Sequence, residues 1–212
     1  MTAIVTCGPS FEPVDEVRRL TNFSTGELGT LLSRSLFRAG HETLCFRGVA
    51  ATHGGSLEGI NVRPFTTNED LARQLLELSL TCQPSAIFHA AALSDFRVAR
   101  VVNKLGQELH SKKISSRESR LTLELEPSFK LIHHLRSWFP QSKIVGWKYE
   151  LEGTTQDALS RVQSQIVENH TNACIINGHG YGEGFGFYEP NHPLQHFPTK
   201  PELCEFLTKW IK

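Results

Sequence analysis

The sequence predicts an α/β fold built on a mostly parallel sheet with helices on both faces, and three observations predict it. Short apolar runs of strand length alternate with longer segments whose apolar residues recur at helical spacing. One of the runs is apolar enough to be buried on both faces, as parallel strands are. Several helical segments open at Ser or Thr with an acidic residue three positions on, and stop near Gly or Pro. The 212 residues contain no internal repeat, low-complexity tract or composition break, so they read as one domain, 1–212.

Taken in order, Ala3-Ile4-Val5-Thr6 is a buried strand. A helix follows from about Thr25 to Ala39, with Leu28, Leu31, Leu32, Ser35, Leu36 and Ala39 on one face. Ser24 and Glu27 fit a capping box, and Gly40 fits its C-terminal stop. Glu42 to Arg47 is a second strand, Val49 to Gly59 a loose loop, and Asn61 to Phe65 a third strand. Thr67 caps a helix carrying Leu71, Leu75 and Leu78, which ends near Pro84. Ser85 to Ala92 is a fourth strand, and Leu93 to Lys112 reads as polar and irregular. Leu121 to Glu126 alternates strictly, so it is a half-exposed strand. Pro127-Ser128 opens a helix carrying Phe129, Ile132, Leu135 and Phe139. Lys143 to Tyr149 is a strand, and Thr154 with Asp157 caps a helix bearing Ala158, Leu159, Val162 and Ile166. Ala173 to Asn177 is a strand, followed by a Gly-rich loop, a strand near Leu194 to Phe197 and a helix from about Lys200.

Composition narrows the function. Lys plus Arg and Asp plus Glu both number 22, so no bulk field favours nucleic acid or a membrane surface. Any anion site must be local. Five scattered cysteines without a C-x-x-C pair read as reduced thiols of a cytoplasmic protein, not as a disulfide framework or zinc site. No charged-then-apolar leader and no apolar run of membrane-spanning length is expected. No helical segment carries an i,i+4 histidine pair with a nearby acid, so no metal held by protein side chains is expected.

Several stretches could carry chemistry. The connection from Cys7 to Ser24 has about eighteen residues, where an α/β unit usually uses 2–6. It leads into a helix N-terminus, with free N–H groups and partial positive charge, and Arg18, Arg19, Asn22, Ser24 and Thr25 can add donors. A surface loop with solvated arginines fits the same spacing. The fourth strand runs into His89-Ala90-Ala91-Ala92-Leu93-Ser94-Asp95-Phe96. Small residues there admit a ligand to the backbone, and Asp95 can accept from a ribose or base; a plain Asp-initiated turn is the alternative. Lys112 and Lys113 form either a solvated patch or a phosphate contact. Trp147 either packs in the core or meets a ligand. Gly178 to Gly186 has five glycines at alternate positions. With the wrong spacing and no following helix it is not a dinucleotide fingerprint, and it reads as a flap or a turn.

Val5-Thr6-Cys7-Gly8-Pro9-Ser10-Phe11-Glu12-Pro13-Val14-Asp15-Glu16-Val17-Arg18, then Thr21-Asn22-Phe23-Ser24-Thr25-Gly26-Glu27-Leu28-Gly29, resembles the opening signature of the phosphopantothenate–cysteine ligase family. Ala91-Ala92-Leu93-Ser94-Asp95-Phe96, Lys113-Ile114 with Leu121 to Leu125, and Val145 to Glu152 resemble later family segments in the right order. The resemblance implies a Rossmann-like fold and nucleotide-dependent ligation of 4′-phosphopantothenate to cysteine in coenzyme A biosynthesis, by a homodimer. It implies ATP or CTP as co-substrate with Mg²⁺, and no FMN, since the flavin decarboxylase half is absent. By family position Asn22, Lys113 and Arg18 are catalytic, Asn22 holding the acyl group and Lys113 the phosphate charge. Gly8, Ser24, Thr25, Gly26, Ala91, Ala92, Asp95, Phe96 and Trp147 are binding residues by the same analogy.

Trp147-Lys148-Tyr149-Glu150 and Ser115-Ser116 resemble eukaryotic members, implying loose nucleotide choice with ATP at least as good as CTP. Phe11 stands where bacterial members usually have arginine, and Glu27 where a basic residue often follows. An acidic Glu27 at a helix start would compete with a bound phosphate. A non-catalytic binding member of the family is the alternative. A nicotinamide-dependent oxidoreductase is disfavoured by the lack of G-x-G-x-x-G and Y-x-x-x-K.

Overall fold

The computed structural model describes all 212 residues. In chain order the strands are β1 (Thr2–Cys7), β2 (Phe11–Pro13), β3 (Arg19–Thr21), β4 (Glu42–Gly48), β5 (Asn61–Phe65), β6 (Ala86–His89), β7 (Phe96–Asn103), β8 (Leu121–Pro127), β9 (Lys143–Tyr149), β10 (Ala173–Gly178), β11 (Gly182–Tyr188) and β12 (Gln195–Phe197). The helices are α1 (Glu27–Arg38), α2 (Asn68–Ser79), α3 (Ile132–Trp138), α4 (Thr155–Asn169) and α5 (Lys200–Trp210). No helix is long and apolar enough to cross a membrane.

An eight-stranded sheet in the order β12-β11-β10-β9-β6-β1-β4-β5 forms the centre. Strands β10 through β5 in that order pair parallel, and β11 and β12 add antiparallel at one edge. The chain winds outward from β1 to β4 and β5, then returns to the other side of β1 as β6. The crevice of a doubly wound sheet therefore lies at the carboxyl ends of β1 and β6.

Alternate side chains of the parallel strands feed two cores. On one face Val5, Phe88, Val145 and Ile175 pack with Leu32 and Leu36 of α1 and Leu203 and Leu207 of α5. On the other, Ile4, Phe46, Ile87 and Ile144 pack with Leu71 and Leu75 of α2 and Leu135 of α3. Farther along that second face, Ala158, Val162 and Ile166 of α4 cover Cys174 and Ile176 of β10. Each fully buried Leu or Phe contributes roughly 1.5–3 kcal/mol.

Thr67, Thr154 and Thr199 cap α2, α4 and α5 through their side chains, and Thr154 with Asp157 completes a capping box. The box expected at Ser24 and Glu27 does not form. Instead α1 begins after Gly26, whose φ of 76° breaks the geometry that a Ser24 cap would need. Only a bond from Glu27 N to Thr25 Oγ1 (3.3 Å) remains there. The start of α3 also moves. Ser128 is drawn into tertiary bonds, accepting from Asn68 Nδ2 (3.0 Å) and donating its N–H to Asp95 O (2.8 Å), so the helix begins at Ile132.

Three segments expected to be irregular contain strands. Within Cys7–Ser24, β2 and β3 form a hairpin. Within Leu93–Lys112, β7 pairs antiparallel with β8 as a separate two-stranded sheet. Its arginines made β7 look like loop, but Arg97 pairs with Glu126 and Arg100 with Glu124, both at 2.6 Å across the ladder. The Gly-rich stretch is mostly β11, hydrogen-bonded between β10 and β12. A Cβ on Gly178 or Gly180 would meet the carbonyl oxygens of Glu150 or Glu152 at 2.3 and 2.6 Å. The glycines there serve close backbone approach, not a mobile flap.

Helix α1 sits on β1 through Gly29, where a Cβ would lie 2.2 Å from Cys7 Cβ. Gly29→Ala gains helix propensity worth about 0.8–1.0 kcal/mol. It also forces a rigid strand atom to move, and such overpacking costs about 1–3 kcal/mol. Overpacking wins. Urea unfolding of Gly29→Ala should show a lower midpoint with unchanged slope, and a raised midpoint would refute this account of the α1–β1 contact.

Candidate functional site

Beyond β1 and β6 the chain continues the parallel pairing without forming strands. Ala90 N donates to Thr6 O (3.1 Å), Ala92 N to Gly8 O (3.0 Å) and Ser10 N to Ala92 O (3.2 Å). Ser94 N then donates to Ser10 Oγ (2.9 Å). Asn22 lies across this ladder and donates Nδ2 to the carbonyls of Ala92 (3.1 Å) and Leu93 (3.2 Å). Thr21 Oγ1 donates to Ser10 O (2.8 Å), tying β3 to the same place. Asn68 at the start of α2 is fully buried and donates to Ser94 O (2.8 Å), fastening the next turn.

The uncapped start of α1 presses against this ladder. A Cβ on Gly26 would lie 3.3 Å from Gly8 Cα and 2.9 Å from Ala51 Cβ. Gly26 thus stands beside Gly8, and apart from the Glu27 N–H bonded to Thr25 Oγ1 the first-turn N–H groups of α1 have no side-chain cap. Glu27 does not oppose an anion there. Its carboxylate is ion-paired with Lys200 of α5, whose hydrogen bond holds it below the usual carboxylate range despite partial burial. Phe11 is likewise occupied, with the Arg19 guanidinium 4.8 Å above its ring.

The tip of the β2–β3 hairpin grips a distant segment. Asp15 Oδ1 accepts from the backbone N–H of Val17 (2.9 Å) and Arg18 (2.7 Å), and Oδ2 accepts from Arg18 Nε (3.0 Å) and Ile114 N (3.1 Å). Arg18 Nη2 donates to Ile114 O (2.6 Å), and Glu16 N donates to Lys112 O (2.9 Å). The backbone on either side of Lys113 is therefore clamped, while the Lys113 side chain stays exposed. Burial alone pushes the Asp15 carboxyl up, but Arg18 and the three backbone donors outweigh it and hold it well below the usual range. Arg18 is occupied with Asp15 and Ile114, so the structure makes it a brace for the Lys113 segment.

Beside the ladder opens a cavity of about 490 Å³, between the ends of β6 and β9, the turn before α3 and one face of α4. Of the residues expected to bind, Ala91, Asp95 and Trp147 line it. Gly8, Asn22 and Ala92 belong to the ladder, Ser24, Thr25 and Gly26 to the approach to α1 beside it, and Phe96 points outward, 54% exposed at the start of β7. Trp147 does both things expected of it: it lines the cavity and packs on the α1–α5 core. Around the rim Lys130 lies 3.8 Å from Asp95, and Lys148 and Arg161 both pair with Glu150.

Residues that sequence reasoning left without a role complete the cavity. His89 lines it, with Nδ1 2.8 Å from Thr6 Oγ1. Gln165 and Asn169 contribute from α4, one turn apart. Buried Gln165 Nε2, Asn169 Oδ1 and Trp147 Nε1 have no hydrogen-bond partner in the protein. The available signal was a polar residue closing an apolar strand, Thr6 after Ala3-Ile4-Val5 and His89 after Ala86-Ile87-Phe88. Burial pushes His89 down to about 4, so it is neutral near pH 7.

A depressed His89 has a stability consequence. The unfolded chain binds the proton near pH 6.5, whereas the folded chain resists it until about 4. No penalty exists well above pH 6.5; it grows as pH falls through that value and levels off below 4. At pH 5 it amounts to about 2 kcal/mol. Unfolding followed from pH 7.5 to 5 should therefore destabilise wild type more than His89→Leu. Parallel pH profiles for the two proteins would disprove a buried neutral His89.

Comparison with known proteins agrees with this architecture. The family model of the DNA/pantothenate metabolism flavoprotein C-terminal domain matches residues 1–196. The coenzyme A biosynthesis bifunctional protein CoaBC of Thermococcus kodakarensis is 27% identical over 177 residues, covering 82% of this chain and 40% of that protein. The chain spans about two fifths of the length of the curated relatives it matches. The crystal structure of the DNA/pantothenate metabolism flavoprotein from Streptococcus pneumoniae superposes with a TM-score of 0.88 at 26% identity, covering 100% of this chain and 98% of that one. The Cab2 H337A mutant, solved in complex with phosphopantothenate-cysteine, shares the fold with a TM-score of 0.74 at 17% identity, over 99% of this chain and 84% of its own. By a family match over nearly its whole length, the chain belongs to the DNA/pantothenate metabolism flavoprotein C-terminal domain family.

Proposed function

We propose that this protein ligates 4′-phosphopantothenate to cysteine, using a nucleoside triphosphate to activate the carboxylate. The carboxylate oxygen attacks the α-phosphorus and pyrophosphate leaves, giving an acyl-nucleotidyl anhydride. The cysteine amine then attacks the acyl carbon, and nucleoside monophosphate leaves with the former carboxylate oxygen. The amine loses a proton, and the product is 4′-phosphopantothenoylcysteine. Both steps are redox-neutral and require no flavin. The observation that carries this reading is the convergence at one sheet end of the Asn22 ladder, the free start of α1, the braced Lys113 segment and the cavity beside Ala91.

In this reading the nucleoside occupies the cavity, near Ala91, Asp95 and Trp147. The phosphates approach the N–H groups at the α1 start, where Glu27 is already neutralised. Lys113 meets the charge that develops on the phosphorus oxygens. Asn22 positions the acyl group beside the Ala92 and Leu93 backbone. No group of three or more His, Cys, Asp or Glu side chains could hold a metal, which fits Mg²⁺ arriving with the triphosphate and keeping several waters. ATP serves at least as well as CTP, and the reaction takes place in the cytoplasm.

The active form is a homodimer. Both hairpins carry exposed apolar side chains: Val17, Leu20 and Phe23 in and just after β2–β3, and Phe96, Leu105 and Leu125 on β7–β8. Exposed apolar side chains of this kind are what self-association covers. Light scattering at assay concentration should give twice the chain mass, and an active monomer would defeat this assignment.

Lys113→Ala should lower turnover in phosphopantothenate-dependent pyrophosphate release by about 10²–10³, the usual cost of one preorganised electrostatic contact. Its melting point should barely move, since exposed substitutions stay within about 0.5 kcal/mol. Asp15→Asn should speed hydrogen exchange at the Ile114 amide and lower turnover in the same direction while Lys113 is intact. Asn22→Ala should impair transfer to cysteine more than anhydride formation, seen in single-turnover product analysis. Wild-type pyrophosphate release in Lys113→Ala would remove Lys113 from the mechanism. Nucleotide binding without any pyrophosphate release in wild type would make the protein a non-catalytic binder.

A further inference from the structure

The floor of the cavity is neutral, while its cations lie at the rim. Thr6 and His89 are paired across β1 and β6, and their side chains meet on the face covered by α2, α3 and α4. Thr6 Oγ1 accepts from Ala91 N (3.3 Å), and His89 Nδ1 is the one acceptor available to its own hydroxyl proton. Satisfying that buried hydroxyl makes Nδ1 the acceptor and places the ring proton on Nε2. No protein group bonds Nε2, so the cavity receives an uncharged N–H donor.

Beside it stands an acceptor. The β6–β9 register runs Ile87 to Ile144 and Phe88 to Val145, which brings Gly146 next to His89. Gln165 reaches over Gly146 from α4: its Nε2 lies 2.4 Å from where a Gly146 Cβ would be, and its Cδ at 3.7 Å. The amide nitrogen thus faces the strand and Oε1 faces away from it, toward the cavity that Gln165 lines. Gly146 is what admits the amide, since any larger residue would displace it.

We propose that His89 and Gln165 read the nucleotide's base, the Nε2–H of His89 donating to a ring nitrogen while Gln165 Oε1 accepts from the adjacent exocyclic amine. Cytosine and adenine both present that pair, ring nitrogen beside amino group. Uracil and hypoxanthine present the inverse, N–H beside carbonyl, and would leave both protein groups facing like partners. The pair explains how one pocket accepts two bases of different size and rejects their deaminated forms. It rests on the nucleotide use proposed above and adds which feature of the base is recognised.

The test is calorimetric binding of CMP against UMP and AMP against IMP, each couple differing in that edge alone. Wild type should bind the amino member of each couple about a hundredfold more tightly, the factor expected when both hydrogen bonds are lost and both protein groups face like partners. His89→Leu and Gln165→Leu should each cut that preference about tenfold, since one reader remains, and Gln165 on half-exposed α4 leaves folding intact if His89→Leu does not. Equal binding within the couples by wild type, no binding of any of the four, or a preference unchanged in both variants would overturn the inference. Pyrophosphate release is measured separately. Its absence in wild type with every triphosphate would sink the ligase reading, while the binding ranks would still decide the base-reading pair.

Discussion

The parallel pairing of β1 with β6 is the constraint on which the rest of the molecule depends. These two strands are joined only after the chain has gone out to β5 and come back, so their carboxyl ends carry loops that leave in opposite directions. The gap between those loops must be closed by something other than a strand. Here the backbone does it, through the bonds among Thr6, Gly8, Ser10, Ala90 and Ala92. Glycine is required at Gly8 and at neighbouring Gly48, where a Cβ would meet Ala51 Cβ at 2.7 Å and Pro9 O at 2.2 Å. The same property opens the backbone to a ligand, so architectural need and binding capacity share one cause.

Charge is handled locally throughout the site. Although the chain is neutral overall, nearly every charged group near the crevice has an assigned partner: Glu27 with Lys200, Asp15 with Arg18, Glu150 with Lys148 and Arg161. Lys113 has no such partner and is held by its backbone while its ammonium stays exposed. A cation kept free of ion pairs on a braced segment can respond to a phosphate without first breaking a salt bridge. The brace also costs little entropy on binding, because Asp15 and Arg18 have already ordered the backbone around it.

The sheet edges show how polar sequence can hide regular structure. Strand β7 was unreadable because its arginines break the apolar alternation and a bulge falls between Val98 and Arg100. Both features make sense only with β8 alongside, whose Glu124 and Glu126 receive the arginines. Strand β11 was hidden by glycines, which are usually the mark of a turn. Its backbone is ordered by β10 and β12, and nothing local to the sequence reveals that neighbours will supply those bonds.

What the sequence by itself determined was everything that local periodicity and capping chemistry encode. The parallel strands, helices α2 and α4 with their threonine caps, the start of α5, and the family membership carried by the Cys7–Gly29 signature could all be read from it. Ala91, Asp95 and Trp147, which line the cavity, were named through the family resemblance, since their local pattern alone also fits a plain turn and core packing. The tertiary structure alone decided which of those residues share a cavity, that Arg18 braces rather than reaches, and that Glu27 is neutralised by a lysine 173 positions away. It alone brought His89, Gly146 and Gln165 together. Contacts of that kind depend on strand order and on which face a helix covers, and both are set by long-range packing that leaves no trace in the local spacing of residues.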